Sequence, residues 1–211
     1  MKTPSTYQSK EELKKLVQQL ANGDAAAIDI LYRLYFKRLQ NYGRQIAGAH
    51  QADLVLSVIQ EFYMWLVKNH QKMAAIEDFE LYLFKSVRLN ILNTLKKQQQ
   101  KSIVAKKYVD STQYTQAKTA PSPEEQLIDQ ESEQLQKDLI KQELKKLPTY
   151  QKEVLYLRYF QNYSYKEIGT ILSVSEQVAR NYAYRAVKGM KGRMKEDILP
   201  LKESNDRSSQ Q

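Results

Sequence analysis

The sequence predicts an all-α protein of two small helical domains joined by a flexible linker, the C-terminal domain carrying a helix-turn-helix. Three observations carry that reading. Six glycines and five prolines among 211 residues are few for a fold that needs many tight turns. Apolar residues recur at helical spacing in one segment after another. A polar stretch over residues 98–123 ends in Pro121 and Pro123 and separates two such groups of segments.

Glu11 to Leu20 reads as the first helix, with Leu13, Leu16, Val17 and Leu20 on one face. Asn22-Gly23 breaks it, and Asp24 is placed to cap the next. That second helix presents Ile28, Leu31, Leu34 and Tyr35 and runs on past Tyr42. Residues 52–68 form a third, with Asp53 as its expected cap and Val55, Val58, Ile59, Phe62 and Leu66 on one side. The pattern lapses from Asn69 to Ile76, which reads as a loop or short turns. Phe79 to Leu95 is helical again, since Phe79, Leu83, Val87, Ile91 and Leu95 advance four at a time.

Beyond the linker a helix opens near Ser122-Pro123 with acids in its first turn, and Pro148 ends it. Helices at Gln151 to Phe160, Tyr165 to Leu172 and Glu176 to about Met194 follow, with Pro200 closing the ordered part. The expected divisions are a first domain at 1–97, the linker at 98–123, a second domain at 124–199 and a frayed tail at 200–211.

The formal charge of +9 points to a polyanionic partner, and its placement is uneven. Residues 144–195 hold 11 basic and 3 acidic side chains, net +8, whereas 124–143 hold 2 and 7, net −5. Cysteine is absent, which excludes disulfides, thiolate metal sites and cysteine nucleophiles. The two histidines, His50 and His70, lie in no metal or catalytic motif, and no glycine-rich phosphate loop is present. No catalytic, cofactor-binding or metal-binding residue is therefore assigned, and the chain is not expected to be an enzyme. An N-terminus without an apolar run, and no stretch long enough to span a bilayer, suggest a cytoplasmic protein without membrane insertion.

The most informative segment is Ser164 to Lys191. Ser164 with Glu167 fits a capping box, and Ile168, Ile171 and Leu172 face inward. Gly169 lets another backbone come close, Ser173-Val174-Ser175 makes the turn, and Ser175 caps the second helix. On that helix Ala179, Tyr182, Ala186 and Met190 share one face; Gln177, Arg180, Asn181, Tyr184, Arg185 and Lys188 lie opposite. Arg, Asn and Gln are the side chains that read base edges by paired hydrogen bonds. An ordinary helical hairpin with a solvated basic face would show the same spacing.

With these residues in view, the chain resembles a sigma factor of the sigma-70 family, of the compact extracytoplasmic-function type. The second half carries the resemblance through Leu144, Leu147-Pro148, Lys152, Val154 to Tyr159, Glu167-Ile168, Leu172, Ser175 and Arg185-Ala186. The first half carries it through Val58, Ile59, Gln60, Glu61 and Tyr63, then Phe79, Tyr82-Leu83, Arg88, Asn90, Asn93 and Lys96. Together they span residues 20–97 and 124–191. The chain departs from the family pattern at Ser57, Val67, Asn93, Gly169, Ser173 and Val178-Ala179.

The resemblance implies that residues 1–97 bind core RNA polymerase and open the downstream promoter element, while residues 124–199 bind the upstream element. Gln60, Glu61, Tyr63 and Met64 would then face polymerase. Arg88, Asn90, Lys96 and Lys97 would face promoter DNA, with Ser175, Gln177, Arg180, Asn181, Tyr184, Arg185 and Lys188 on the upstream element. The implied partners are core polymerase, double-stranded and melted promoter DNA, and an anti-sigma factor; no cofactor is implied. A stand-alone helix-turn-helix regulator, and a basic adaptor for RNA or acidic proteins, are the competing readings.

Overall fold

The computed structural model describes residues 10–108, 140 and 142–206. These residues form seven labelled helices: α1 Lys10–Ala21, α2 Ala25–Ala47, α3 Ala52–Lys68, α4 Phe79–Tyr108, α5 Thr149–Leu155, α6 Tyr165–Leu172 and α7 Glu176–Asp206. Short 3-10 segments at Ala49–Gln51 and His70–Ala75 flank α3, and residues 142–146 are helical. No strand occurs among the described residues.

Local chemistry explains most boundaries. The Asp24 side chain accepts from the Ala26 amide at 2.8 Å and starts α2. Helix α3 begins at Ala52 with no side-chain cap; Asp53 sits in its first turn, where it offsets the helix dipole. Helix α4 continues past Leu95 to Tyr108, so the start of the linker segment, a run rich in Gln and Lys, is helical, one of the two forms the sequence left open for it. Helix α7 likewise passes Pro200 and reaches Asp206. The rest of the expected linker at 109–123, the acidic stretch at 124–139 and the tail at 207–211 lie outside the described residues.

The described residues group into two compact units, one drawn from Met1–Lys96 and Pro148–Ala186, the other from Lys97–Leu147 and Val187–Gln211. The first unit therefore takes residues from both of the domains expected from the sequence. Within it, α2 packs against α1, α3 and α5. Leu31, Tyr35, Leu39 and Tyr42 of α2 are buried beside Val55 and Ile59 of α3 and Leu83, Phe84, Val87 and Ile91 of α4. Gly43 makes the α2–α3 crossing possible: a Cβ there would stand 2.4 Å from Val55 Cγ1 and 3.0 Å from Ile91 Cδ1. In the second unit, Glu143 is buried and paired with Lys146 and Arg193.

Two polar clusters tie the stretch that leads into the helix-turn-helix, from Glu153 to Tyr163, to helices α2 and α4 of the first unit. Arg88 of α4 and Glu153 of α5 are 3% and 0% exposed. Arg88 Nε donates to Glu153 Oε2 at 2.6 Å, and the Tyr42 hydroxyl donates to the same oxygen at 2.8 Å. In the other cluster Arg38 Nη2 meets Glu80 Oε1 at 2.5 Å, Tyr35 donates to Glu80 Oε2 at 3.0 Å, and Tyr163 also donates to Glu80. Arg38 Nε completes it by donating to Gln161 Oε1 at 2.8 Å. Burial pushes the Glu80 carboxyl up, but the charge of Arg38 and the three hydrogen bonds outweigh it and hold the group below its ordinary value.

Two predictions follow from these clusters. Removing one member of a buried pair leaves an uncompensated charge, so Glu153→Gln should lower stability by about 3–5 kcal/mol in urea unfolding. Replacing both partners with apolar residues, as in Arg88→Met with Glu153→Leu, should cost much less than either single change. Glu80 has a depressed folded value, so its contribution is complete above the ordinary 4.5 and is lost as pH falls through the folded value. The urea midpoint of the native chain should therefore drop more between pH 6 and pH 3 than that of Glu80→Gln. Equal slopes would show that Glu80 contributes nothing.

Candidate nucleic-acid interface

The turn between α6 and α7 is built from a few specific contacts. Ser164 caps α6 and forms the full capping box with Glu167: the Ser164 amide donates to Glu167 Oε2 at 2.7 Å, and Ser164 Oγ accepts from the Glu167 amide at 3.3 Å. Helix α6 ends at Ser173, whose φ of 57° and ψ of 44° are left-handed. The Val174 amide then donates to the Gly169 carbonyl at 2.9 Å. Gly169 is required by that closeness, since a Cβ there would lie 2.7 Å from the Val174 carbonyl oxygen. Ser175 Oγ accepts from the Val178 amide at 3.2 Å and starts α7.

The inward faces bury Ile168, Ile171 and Leu172 of α6 and Ala179, Ala183 and Ala186 of α7. Tyr182 packs beside them and stacks on Tyr150 with ring centroids 5.7 Å apart. The small alanines let α7 lie close to the core, which turns its opposite side outward. Gln177, Arg180, Asn181, Tyr184, Arg185 and Lys188 are all exposed there, Tyr184 by 64%.

These outward side chains are ordered by one another. Arg180 Nη2 meets Glu176 Oε1 at 2.8 Å, and Gln177 Nε2 donates to Asn181 Oδ1 at 3.3 Å. The Arg180 guanidinium also lies 4.8 Å from the centroid of the Tyr165 ring, and that of Arg158 lies 5.1 Å from the same ring. The i, i+4 spacing of Glu176 and Arg180 is legible in sequence. The Tyr165 contact is not, because it crosses the turn.

Directly after α5, the π-helical turn Tyr156–Phe160 takes in one extra residue per turn, with the Gln161 amide donating to the Tyr156 carbonyl at 3.2 Å. It leaves Tyr159 and Phe160 more than half exposed.

The expected residues of the N-terminal half divide. Asn90, Lys96 and Lys97 are exposed on α4, and Gln60, Glu61 and Met64 are exposed on α3 beside a partly exposed Trp65. Two of the expected surface residues are instead internal. Arg88 lies on the stripe of Phe84 and Ile91, four and three residues away, and is buried on Glu153. Tyr63 follows Ile59 and Phe62 into the core, 6% exposed, and its hydroxyl donates to the Leu31 carbonyl at 3.3 Å. Of the aromatics near the basic helix, Phe79 is buried, and Trp65 is exposed at 41% with Phe62 stacked on it at 6.2 Å.

The turn geometry predicts opposite effects for two small changes. Gly169→Ala forces Cβ against a backbone carbonyl and should cost about 1–3 kcal/mol, as overpacking does. Ser173→Gly removes the penalty of a side chain in a left-handed conformation and should add about 1 kcal/mol. Urea unfolding of the two variants checks both signs.

Comparison with known proteins locates this geometry. Residues 137–190 match the family described as Sigma-70, region 4. Among solved structures, CnrH in complex with the cytosolic domain of CnrY superposes with a TM-score of 0.56. Identity is 15%, and the match covers 87% of this chain and 97% of that one, a likeness of fold. No curated protein matches the chain by sequence.

Proposed function

We propose that this chain, a member of the sigma-70 family through its region 4, is a sigma factor of the extracytoplasmic-function type that recruits core RNA polymerase to promoters. The observation that carries the reading is the outward face of α7. It sets Gln177, Arg180 and Asn181 at the start of a helix that leaves a tight turn, the end that enters a major groove first. In this reading those three read base edges of the upstream element, Arg185 and Lys188 hold phosphates, and Ser175 and Tyr184 flank them.

Asn90, Lys96 and Lys97 contact the downstream element, and Trp65 offers an exposed ring on which an unpaired base can stack. Arg88 reaches DNA in this reading only after it leaves Glu153. Gln60, Glu61 and Met64 form the polymerase-facing patch on α3, without the internal Tyr63. The chain has no chemistry of its own here and works in the cytoplasm by directing the polymerase that has. A protein that docks as the cytosolic domain of CnrY does on CnrH fits as an anti-sigma partner.

The test is binding of a promoter fragment with and without core polymerase. The full chain should elute with core polymerase and open the fragment only in its presence. Changing Gln60 and Glu61 to Lys should weaken that association while helical content stays unchanged. Lys188→Ala should weaken binding to all sequences alike and reduce the salt slope by about one unit. Sequence-specific binding of duplex DNA by the chain alone, as a dimer on a palindrome, would instead identify a stand-alone regulator.

A further inference from the structure

Arg180 is held on two sides before any DNA arrives. The Tyr165 ring lies 4.8 Å from its guanidinium carbon, and Glu176 Oε1 accepts from Nη2 at 2.8 Å. Tyr165 is itself fixed. It is the first residue of α6, directly after the Ser164–Glu167 capping box. Its ring also carries the guanidinium of Arg158, which is anchored by an Nη1 hydrogen bond to the Tyr163 carbonyl at 3.0 Å. A chain of contacts thus runs from the backbone at Tyr163 through Arg158 and Tyr165 to Arg180, although the Arg180 side chain remains 54% exposed.

An exposed arginine samples many rotamers and loses that freedom when it binds. A guanidinium already stacked on a ring has a defined plane, and stacking leaves its in-plane N–H groups available. Glu176 engages one of the two terminal nitrogens. The ion pair alone would be an unremarkable surface contact between residues four apart. The ring is what distinguishes the arrangement, because it comes from a different helix and sets an orientation that the ion pair does not.

We propose that Tyr165 is a positioning residue for Arg180 and thereby a determinant of base specificity. The platform holds the guanidinium so that its remaining donors meet the O6 and N7 acceptors of a guanine in the major groove. The proposal rests on the reading of α7 as the DNA-facing helix.

The experiment uses the full chain assembled with core polymerase. Its binding is titrated against promoter fragments in which each base pair of the upstream element is replaced in turn. Arg180→Ala should reduce discrimination at a single G·C pair by roughly ten- to a hundredfold. Tyr165→Leu should reduce discrimination at that same pair by about three- to tenfold, the scale of a partly desolvated cation–π contact, and leave the other pairs unchanged. Tyr165→Phe keeps the ring and should restore the native profile.

A uniform loss across all fragments with Tyr165→Leu, or no change at the pair that Arg180→Ala affects, would overturn the proposal while leaving the reading of α7 intact. Unchanged preferences with Arg180→Ala would overturn both. Should Tyr165→Leu lose its helical signal, Tyr165→His carries the test instead, since it keeps a smaller flat ring. An intermediate loss at the same pair is then expected, and a native profile with Tyr165→His would overturn it.

Discussion

The structure of the first unit turns on a single buried charge pair. A guanidinium and a carboxylate removed from water each carry a large desolvation penalty, which only close mutual contact and further hydrogen bonds offset. Arg88 and Glu153 meet that condition, with Tyr42 supplying the extra donor to Glu153. Tyr42 also packs on Phe84 and Tyr156, at 5.3 and 6.0 Å between ring centroids, so the ring that donates to Glu153 is itself held by α4 and the π-helical turn. Such a pair is a demanding register device. It tolerates one placement of α5 against α2 and α4, and that placement sets where the helix-turn-helix begins.

The outward face of α7 depends on a different kind of constraint. Alanines inside α7 and a glycine inside α6 reduce side-chain bulk to bring backbones together, and the turn closes around them. The price is a left-handed serine at Ser173. What results is a short, stiff bend whose outward side chains lean on one another. Stiffness at the turn and order among the exposed side chains belong together, because Tyr165 can hold Arg180 only if α6 and α7 keep a fixed angle.

Much of this was legible in the sequence. The helical class, the Asp24 cap, the Ser164–Glu167 box and the bounds of α6 all follow from local rules that act within four residues. The outward set on α7 follows from its 3.6-residue period. Where the reading fell short, the missing information was not local. Arg88 sits in register with Phe84 and Ile91, so its period alone places it inward, while the family resemblance placed it on DNA; its buried partner Glu153 lies 65 residues away, beyond any local rule. Tyr63, placed on the polymerase face by the same resemblance, follows the apolar stripe of Ile59 and Phe62 inward. Asp53 did not cap α3, since Ala52 had already entered the helix. Helices α4 and α7 outran the expected ends because their polar composition favours helix as readily as loop. Tyr165 beneath Arg180 could not be foreseen from spacing across a turn.

The Arg88–Glu153 pair also has a bearing on how the chain comes to be made. The two residues are 65 positions apart. At the usual pace of synthesis, Glu153 leaves the ribosome roughly 3–13 s after Arg88. Helices α1 to α4 have ample time to collapse in that interval, since helix formation and hydrophobic collapse take microseconds. They do so with a cation on a surface that will later be interior. The nascent N-terminal half must therefore keep Arg88 hydrated, and its aromatic neighbours partly uncovered, until α5 emerges. During those seconds the growing chain leaves in water a guanidinium that the finished protein buries.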